Sequence, residues 1–168
     1  MRKEQELGMY TPIPLYSTIW GTLSDLATNA DSEYIEYYGF DVLQVPDEII
    51  SRDKQLAALR KRHPFTAGIT RMQPYTVYNW HTDDNRHGTI NMMIAHTNSH
   101  CLFTTNAEAR VSDTKELVYQ YKTYYIFNTQ ASHMVANLEE ERFVFTLEFR
   151  DKVTYEDLVD FFTGKTYE

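Results

Sequence analysis

The sequence predicts a mainly β protein, built as a single domain over residues 1–168 with helices at its flanks. Between Phe65 and Phe149 the chain divides into many short apolar runs separated by turn-forming residues, which is typical of a sandwich, barrel or jelly roll. Its 13 Tyr and 9 Phe against only 6 Gly favour packed β structure. A length of 168 residues fits one hydrophobic core.

The charge balance and the single cysteine narrow the classes of partner and compartment. With 16 Lys and Arg against 24 Asp and Glu, the net charge is -8, which argues against nucleic acid and anionic lipid as partners. Cys101 has no partner for an internal disulfide, and we expect it to be buried and inert. The first residues lack the apolar stretch of a signal peptide or membrane span, so we expect a cytoplasmic protein without membrane contact.

The chain before residue 65 predicts an arm, a pair of strands and a helix. Residues 1–31 are rich in turn formers and are expected to lay short pieces of structure across a core. Glu33–Val45 predicts two short strands hinged near Gly39. Residues 47–62 predict a helix, because apolar residues recur there at roughly helical spacing and a His-Pro pair follows.

The core of the fold is expected at residues 65–150, and residues 151–168 are expected to carry a C-terminal helix. In the last strand, Phe143 and the alternate residues after it share one face that needs a cover. Thr154 begins a capping-box pattern, so a helix over about 154–163 is expected to pack there. The predicted strands are Phe65–Met72, Tyr75–Trp80, Thr89–His96, Cys101–Thr105, Leu117–Tyr121, Tyr124–Phe127, Met134–Asn137 and Arg142–Phe149.

The polar stretch WHTDDNRHG at residues 80–88 is either a solvated turn or half of a metal site. If the preceding strand continues to Asp83, His81 and Asp83 point the same way while Thr82 points opposite. A His-x-Asp pair occurs often by chance, so a third ligand is needed. Two histidines and one carboxylate form the facial triad of non-haem iron(II) oxygenases, and His133, at the start of a later strand, is the candidate for the second histidine.

Arginine placement adds a second element to this site. Arg142, on the strand expected to return antiparallel to that of His133, could meet an anionic cosubstrate with two parallel hydrogen bonds. Arg86 could pair with Asp84, with the run Glu139–Glu141, or with an acidic substrate. His96 and His100 flank an expected hairpin turn, which favours surface or packed histidines over a zinc site; their His-x-x-x-His spacing presents one face only on a helix.

Taken together, His81-Thr-Asp83, His133 and Arg142 resemble the iron(II)- and 2-oxoglutarate-dependent dioxygenases. The run WHTDDNR, the strand-like TINMMI after it and the string FNTQASHMVANLEEERFVFTLEF are similar to the aspartyl/asparaginyl β-hydroxylase-like branch. The resemblance covers about Met72–Arg150. In its compactness the chain also resembles small phage-encoded members, which would place it in a host cytoplasm.

This resemblance implies a double-stranded β-helix, the jelly roll also called cupin-like, with a defined ligand set. His81, Asp83 and His133 would hold Fe(II), and Arg142 would bind the distal carboxylate of 2-oxoglutarate, with O2 as the other reactant. Many relatives carry a small hydroxyl residue two positions after this arginine, where this chain has Val144.

The hydroxyl partner of the arginine would therefore come from Thr146 or from a nearby tyrosine. Asn91, Asn137 or a tyrosine could orient the ligands or the cosubstrate.

The implied reaction is hydroxylation of a C–H bond in a peptide or protein side chain, or in a small amino-acid-like substrate, coupled to conversion of 2-oxoglutarate to succinate. Two alternatives stay open: a non-catalytic cupin-like binding module, and a metal-dependent hydrolase or isomerase using the same triad with zinc. Arg142 argues against both, unless it serves in an ion pair with Glu141 or Glu148. Selectivity is expected from residues 1–31, 84–88 and 106–116.

Overall fold

The computed structural model describes residues 8–95, 98–105 and 110–164. Its strands are β1 (Tyr10–Pro12), β2 (Ile35–Tyr37), β3 (Phe40–Gln44), β4 (Phe65–Met72), β5 (Thr76–His81), β6 (Thr89–Met93), β7 (Ser99–Thr104), β8 (Thr114–Glu116), β9 (Tyr125–Phe127), β10 (Ser132–Asn137) and β11 (Arg142–Phe149). Its helices are α1 (Trp20–Thr28), α2 (Asp47–Ile50), α3 (Lys54–Arg62) and α4 (Tyr155–Thr163). Within these ranges, no helix has the length and apolar character needed to cross a membrane.

Two antiparallel sheets form the body of the fold. The larger one has the strand order β1-β9-β6-β11-β4-β3-β2, and the smaller one the order β5-β10-β7-β8. β11 and β4 pair along their whole lengths, from Arg142 opposite Met72 to Phe149 opposite Phe65. In the smaller sheet β10 lies between β5 and β7, which brings its first residues beside the end of β5.

The two faces of β11 serve different parts of the molecule. Phe143, Phe145 and Leu147 belong to the main hydrophobic core together with apolar side chains from all four helices. The C-terminal helix contributes Leu158 and its neighbours to this core, which confirms the expected cover of that face. The alternate residues of β11, beginning with Arg142, line a cavity. The strand therefore has helices on one side and a ligand-sized space on the other.

A second, smaller core contains side chains of β7, of β9 and of the segment after β8. Phe103 is fully buried there, and it packs with Cys101 and Leu117. Burial raises the pKa of the Cys101 thiol to about 11, so the thiol stays protonated near neutral pH.

Three predicted elements differ from those observed. The helix expected over residues 47–62 is interrupted, because Asp53 caps a new helix by accepting hydrogen bonds from the backbone N–H groups of Gln55 and Leu56. The strand expected at Leu117–Tyr121 is wrong: β8 ends at Glu116 and the chain then leaves the sheet.

The strand expected at Thr89–His96 ends instead at Met93. His96 lies outside the described residues, as do residues 1–7, 106–109 and 165–168.

The N-terminal segment contains a helix that the sequence did not predict. Helix α1 buries Leu23 and Ala27, although its N-cap residue Ile19 provides no side-chain hydrogen bond. The pair of strands expected after the arm is present as β2 and β3, joined through Tyr38 and Gly39 at φ 48° and 85°. Glycine suits this left-handed position because it has no Cβ to clash with the backbone.

Candidate metal centre

The three predicted ligands meet at one end of the smaller sheet. His81 is the last residue of β5, and it pairs in register with His133 at the start of β10. Asp83 lies just past the end of β5, so the expected continuation of the strand to Asp83 is wrong. Its backbone N–H still donates to the Thr129 carbonyl at 3.0 Å, which holds the carboxylate beside the two histidines.

The ligand atoms are close enough together for one ion to contact all of them. Asp83 Oδ1 lies 3.5 Å from His81 Nε2 and 3.5 Å from His133 Nε2. The three ligand atoms fall within 4.8 Å of one another. His133 is buried, whereas His81 and Asp83 are partly exposed. The arrangement provides two imidazole nitrogens and one carboxylate oxygen with an open side toward the cavity.

Backbone carbonyls fix the orientation of both imidazole rings. His81 Nδ1 lies 2.6 Å from the Asn79 carbonyl oxygen, and His133 Nδ1 lies 2.8 Å from that of Ala131. A carbonyl oxygen only accepts hydrogen bonds, so each Nδ1 carries the hydrogen and donates it. In the neutral rings each Nε2 therefore presents a lone pair to the site, as a metal ligand must.

The electrostatics of the site call for a cation among these atoms. Two imidazole lone pairs and a carboxylate oxygen face one another, and only a proton or a metal ion satisfies such a group. Hydrogen bonding to Asp83 is the main cause that raises the pKa of His81. Burial alone would raise the pKa of Asp83, but the charge of Arg86 and, when their Nε2 atoms are protonated, hydrogen bonds from His133 and His81 outweigh it and hold that pKa well below its usual range.

Arg86 has a different partner from those expected. Its Nε donates to Asp83 Oδ2 at 2.8 Å and its Nη2 forms an ion pair with the same oxygen at 2.8 Å, rather than pairing with Asp84 or the glutamate run. The loop that carries it is held by Gln130, whose Nε2 donates to the carbonyls of Asp83 and Arg86. At the end of this loop, a Cβ on Gly88 would lie 2.8 Å from Tyr155 N, so only glycine allows the start of α4 to pack there.

A cavity of about 840 Å³ extends from the ligands between the two sheets. One wall is the inner face of β11 and β4. The opening carries aromatic side chains from the hairpin of β2 and β3 and from β5: Tyr37, Tyr38, Phe40 and Tyr78. Tyr78 connects the two sheets, because its hydroxyl donates to the Tyr38 carbonyl.

A group of polar atoms without partners lies along the same cavity. Arg142 Nε and Asn91 Oδ1 are buried, and neither has a hydrogen-bond partner in the part of the chain that the structure describes. The Tyr119 hydroxyl is buried beside the two side chains and interacts with both. Burial raises the pKa of Tyr119 far above its usual range, although the neighbouring Asn91 and Arg142 side chains act to lower it. Leaving such atoms unpaired costs about 1–3 kcal/mol each, which indicates a place for a ligand with matching groups.

Comparisons with known proteins identify the architecture. No protein-family model matches the chain, and no curated protein matches it. Among solved structures, a prolyl-4-hydroxylase from Pseudomonas putida superposes with a TM-score of 0.63 at 12% identity, covering 90% of this chain and 97% of that one. The chain has the jelly-roll fold of the 2-oxoglutarate and iron(II) oxygenases.

Two further oxygenase structures show the same fold. A 2OG-Fe(II) oxygenase family oxidoreductase from Burkholderia pseudomallei gives a TM-score of 0.62 at 13% identity, with 92% of this chain and 90% of that one covered. A prolyl hydroxylase from Trichoplax adhaerens, in complex with a peptide fragment of hypoxia inducible factor, gives 0.61 at 10% identity, with 88% and 86% covered. The double-stranded β-helix predicted from the sequence is therefore confirmed.

Within this oxygenase fold, the other residues singled out in the sequence take separate positions. Asn91 lies beside Arg142, as described above. Thr146 Oγ1 instead accepts a hydrogen bond from Arg86 Nη1 at 3.1 Å. Asn137 donates to three backbone carbonyls, including that of Met72 at 3.3 Å, and so joins the turn after β10 to the turn between β4 and β5.

Tyr119 was not named from the sequence, although a tyrosine near the arginine was expected. The sequence carries no signal that singles it out, because Leu117-Val118-Tyr119 is apolar throughout, and only the structure shows that Val118 is exposed while the Tyr119 hydroxyl is buried. No pattern reveals which wall of the cavity the tyrosine joins, because the strand expected there does not form.

Proposed function

We propose that this protein is an Fe(II)- and 2-oxoglutarate-dependent oxygenase that hydroxylates a C–H bond of a peptide or protein side chain, or of a small amino-acid-like molecule. One observation carries this proposal. A single cavity contains both an open His81-Asp83-His133 triad and a buried arginine whose Nε has no partner among the described residues. A metal and a dicarboxylate cosubstrate would satisfy these two groups together.

The triad suits iron through its chemistry as well as its spacing. Two neutral imidazoles and one carboxylate form the ligand set of non-haem iron(II) oxygenases, which leaves coordination positions free. When bound with 2-oxoglutarate and O2, the iron would supply the oxidation of the substrate C–H bond, with succinate as the second product. His81 and His133 would bind through Nε2, and their Nδ1–H bonds to backbone carbonyls would keep both rings in place.

Arg142 is the proposed site for the far carboxylate of 2-oxoglutarate. The alternative role in an ion pair lacks support, because Glu141 lies 3.6 Å from Arg71 and Arg142 makes no ion pair within the described ranges. Tyr119 is a better candidate than Thr146 for the hydroxyl that would assist it, since the Tyr119 hydroxyl is buried beside the arginine, whereas Thr146 Oγ1 accepts a hydrogen bond from Arg86. Asn91 would contribute from β6.

The proposed substrate would approach from the aromatic opening of the cavity. Tyr38 is 82% exposed although it lines this space, and Tyr37 beside it is also exposed, so an extended peptide or a small molecule could reach the triad past them. The Trichoplax prolyl hydroxylase binds a peptide fragment, which supports the same class here. The sequence motif around His81 favours an aspartyl- or asparaginyl-type side chain within that class.

Anaerobic titration tests the proposal with the purified chain. Fe(II) is added first and 2-oxoglutarate second, while the weak visible charge-transfer band of chelated 2-oxoglutarate is followed. We expect the band with the parent protein and its loss with Arg142→Ala, because the variant cannot bind the far carboxylate. Tyr119→Phe should weaken 2-oxoglutarate binding by about tenfold, the effect of losing roughly 1.4 kcal/mol.

The control variant is Arg71→Ala, which removes another strand arginine that does not line the cavity. It should keep the band at the parent affinity for 2-oxoglutarate. Metal binding without any band in the parent protein would contradict the oxygenase proposal and favour the cupin-like binding module. Loss of the band in the Arg71 variant as well would mean that Arg142→Ala acts by damaging the fold.

A further inference from the structure

The side chain of Arg86 contacts one oxygen of the Asp83 carboxylate, which is a proposed metal ligand. Its Nε and its Nη2 each lie 2.8 Å from Asp83 Oδ2. Its remaining nitrogen, Nη1, donates to Thr146 Oγ1 at 3.1 Å. The guanidinium therefore spans from the triad to the inner face of β11.

The other oxygen of Asp83 faces the two histidines. Oδ1 lies 3.5 Å from both His81 Nε2 and His133 Nε2, and the arginine does not contact it in the geometry described. The two oxygens of one carboxylate thus have separate partners. With Oδ2 held by a charge-assisted hydrogen bond from Nε and an ion-pair contact with Nη2, only Oδ1 is free to reach an ion among the imidazoles.

Contacts on both sides hold Arg86 in this position. Its backbone carbonyl accepts hydrogen bonds from Thr129 Oγ1 at 2.5 Å and from Gln130 Nε2 at 2.7 Å. Its partner Thr146 lies 3.3 Å from Thr89 Oγ1, which in turn donates to the Leu147 carbonyl. Replacing the side chain leaves the backbone contacts in place, so the loop can keep its path.

We propose that Arg86 is a positioning residue that makes Asp83 bind the metal through a single oxygen. A carboxylate can coordinate through one oxygen or two. A second oxygen from Asp83 would take a position that the facial triad leaves open for cosubstrate and dioxygen. This role rests on the proposed function, and it adds a residue that neither contacts the metal nor belongs to the His-x-Asp motif.

Two variants of Arg86 separate its charge from its forked geometry. Arg86→Met keeps the length of the side chain but removes every donor. Arg86→Lys keeps the positive charge but offers no planar pair of N–H groups. Each variant is titrated anaerobically with Co(II) and, in a separate sample, with Fe(II), to measure metal affinity. 2-Oxoglutarate is then added at saturating metal to measure its binding.

Arg71→Met provides a matched control. Arg71 also donates through Nε and Nη2 to a single aspartate oxygen, Asp41 Oδ2, at 3.0 and 2.8 Å. The two arginine side chains are equally exposed, at 31% for Arg71 and 32% for Arg86. The difference that matters for metal binding is the aspartate, since Asp41 does not belong to the triad; Arg71 also lies 3.6 Å from Glu141 and stacks on the Tyr34 ring.

We expect Arg86→Met to bind Co(II) about 10- to 100-fold more weakly than the parent, the usual effect of removing a group that orients a metal ligand. The Co(II) affinity of Arg86→Lys should fall between those of the parent and of Arg86→Met, and the Co(II) affinity of Arg71→Met should match that of the parent. At saturating metal, Arg86→Met should also change the visible spectrum of bound Co(II) and weaken 2-oxoglutarate binding, because the freed oxygen of Asp83 can then reach the ion. A purely structural arginine would change neither.

The inference would be overturned if Arg86→Met bound Co(II) within about twofold of the parent affinity and gave an unchanged Co(II) spectrum. The proposed oxygenase function would then remain intact. Equal losses in Arg86→Met and Arg71→Met would overturn it too, since the effect would then come from any broken ion pair. If the methionine variant fails to fold, Arg86→Lys decides by the same criteria. A parent protein that binds neither metal would overturn both this inference and the proposed function.

Discussion

Asp53 and Asp83 are two largely buried aspartates with different surroundings. Both oxygens of Asp53 accept hydrogen bonds: Oδ1 from two backbone N–H groups at the start of α3, and Oδ2 from the Tyr124 hydroxyl at 2.9 Å and from the backbone of Thr18 at 3.2 Å. In Asp83 only Oδ2 has such donors, from Arg86. Its Oδ1 faces two imidazole nitrogens that bring no hydrogen when the rings are neutral.

This difference separates a carboxylate that stabilises the fold from one that we propose to bind a metal. A buried carboxylate with fixed protein donors on both oxygens stabilises the native state, and removing it leaves those donors unpaired. A carboxylate that keeps one oxygen for a cation contributes little until the cation arrives. The structure thus assigns stability to the contact of the N-terminal segment with α3, and proposed chemistry to the loop after β5.

The largest effect is expected at Asp53. Asp53→Ala should lower the free energy of unfolding by about 3–4 kcal/mol, because it removes the N-cap of α3 and leaves buried donors unsatisfied. Urea denaturation of the metal-free protein measures this change. A loss below about 1 kcal/mol would show that water or a local rearrangement replaces the carboxylate, and the comparison with Asp83 would then fail.

A smaller effect is expected when only one donor to Asp53 is removed. Tyr124→Phe deletes the hydroxyl that donates to Asp53 Oδ2 and lies 2.8 Å from Ser17 Oγ. Burial first, and then the negative charge of Asp53, raise the pKa of Tyr124 well above its usual range, so the hydroxyl remains a donor at any pH the fold experiences. We expect a loss of about 1.5 kcal/mol in the same denaturation experiment.

The double variant Tyr124→Phe with Asp53→Ala tests whether the two side chains act on stability together. If the two side chains act together, the double variant should lose less stability than the sum of the single losses. Strict additivity would mean that Tyr124 contributes through packing of its ring, which lies in the main core, rather than through Asp53.

How far the sequence predicted this fold depends on the length of each pattern. β4 and β11 have the predicted bounds, because each is an eight-residue run and the two pair along their whole lengths. Short strands such as β8 depend on tertiary pairing, so the run at Leu117–Tyr121 predicted a strand that does not form. The break between α2 and α3 follows from one cap at Asp53, within a stretch whose helical periodicity continues across it.

The candidate site was predicted to a similar extent. His81, Asp83 and His133 were identifiable because ligand spacing is a local pattern joined to one distant histidine. The partner of Arg86 and the identity of Tyr119 depend on how two irregular segments fold back onto the cavity, and no spacing rule describes that. Asp83 itself adopts its place through a backbone hydrogen bond to Thr129, rather than through the strand register expected for it.

The smallest effect is expected at Asp83 in the metal-free protein. Asp83→Ala should lower the free energy of unfolding by only about 1 kcal/mol, because Arg86, whose charge helps to keep the carboxyl pKa low, is partly exposed and can return to water. The difference should appear only with metal. At a free Co(II) concentration about 100 times the dissociation constant, the parent gains roughly 2.7 kcal/mol of stability.

The Asp83 variant should gain none of this stabilisation at the same Co(II) concentration, since it lacks one of the three ligands. Urea denaturation with and without Co(II), under conditions used for Asp53→Ala, makes the two aspartates directly comparable. A metal-free Asp83 variant as unstable as the Asp53 variant would mean that both carboxylates hold the fold, and the open oxygen of Asp83 would then need another explanation than a metal. If the Asp83 variant loses only the Co(II)-dependent gain in the free energy of unfolding, we assign that oxygen to metal binding.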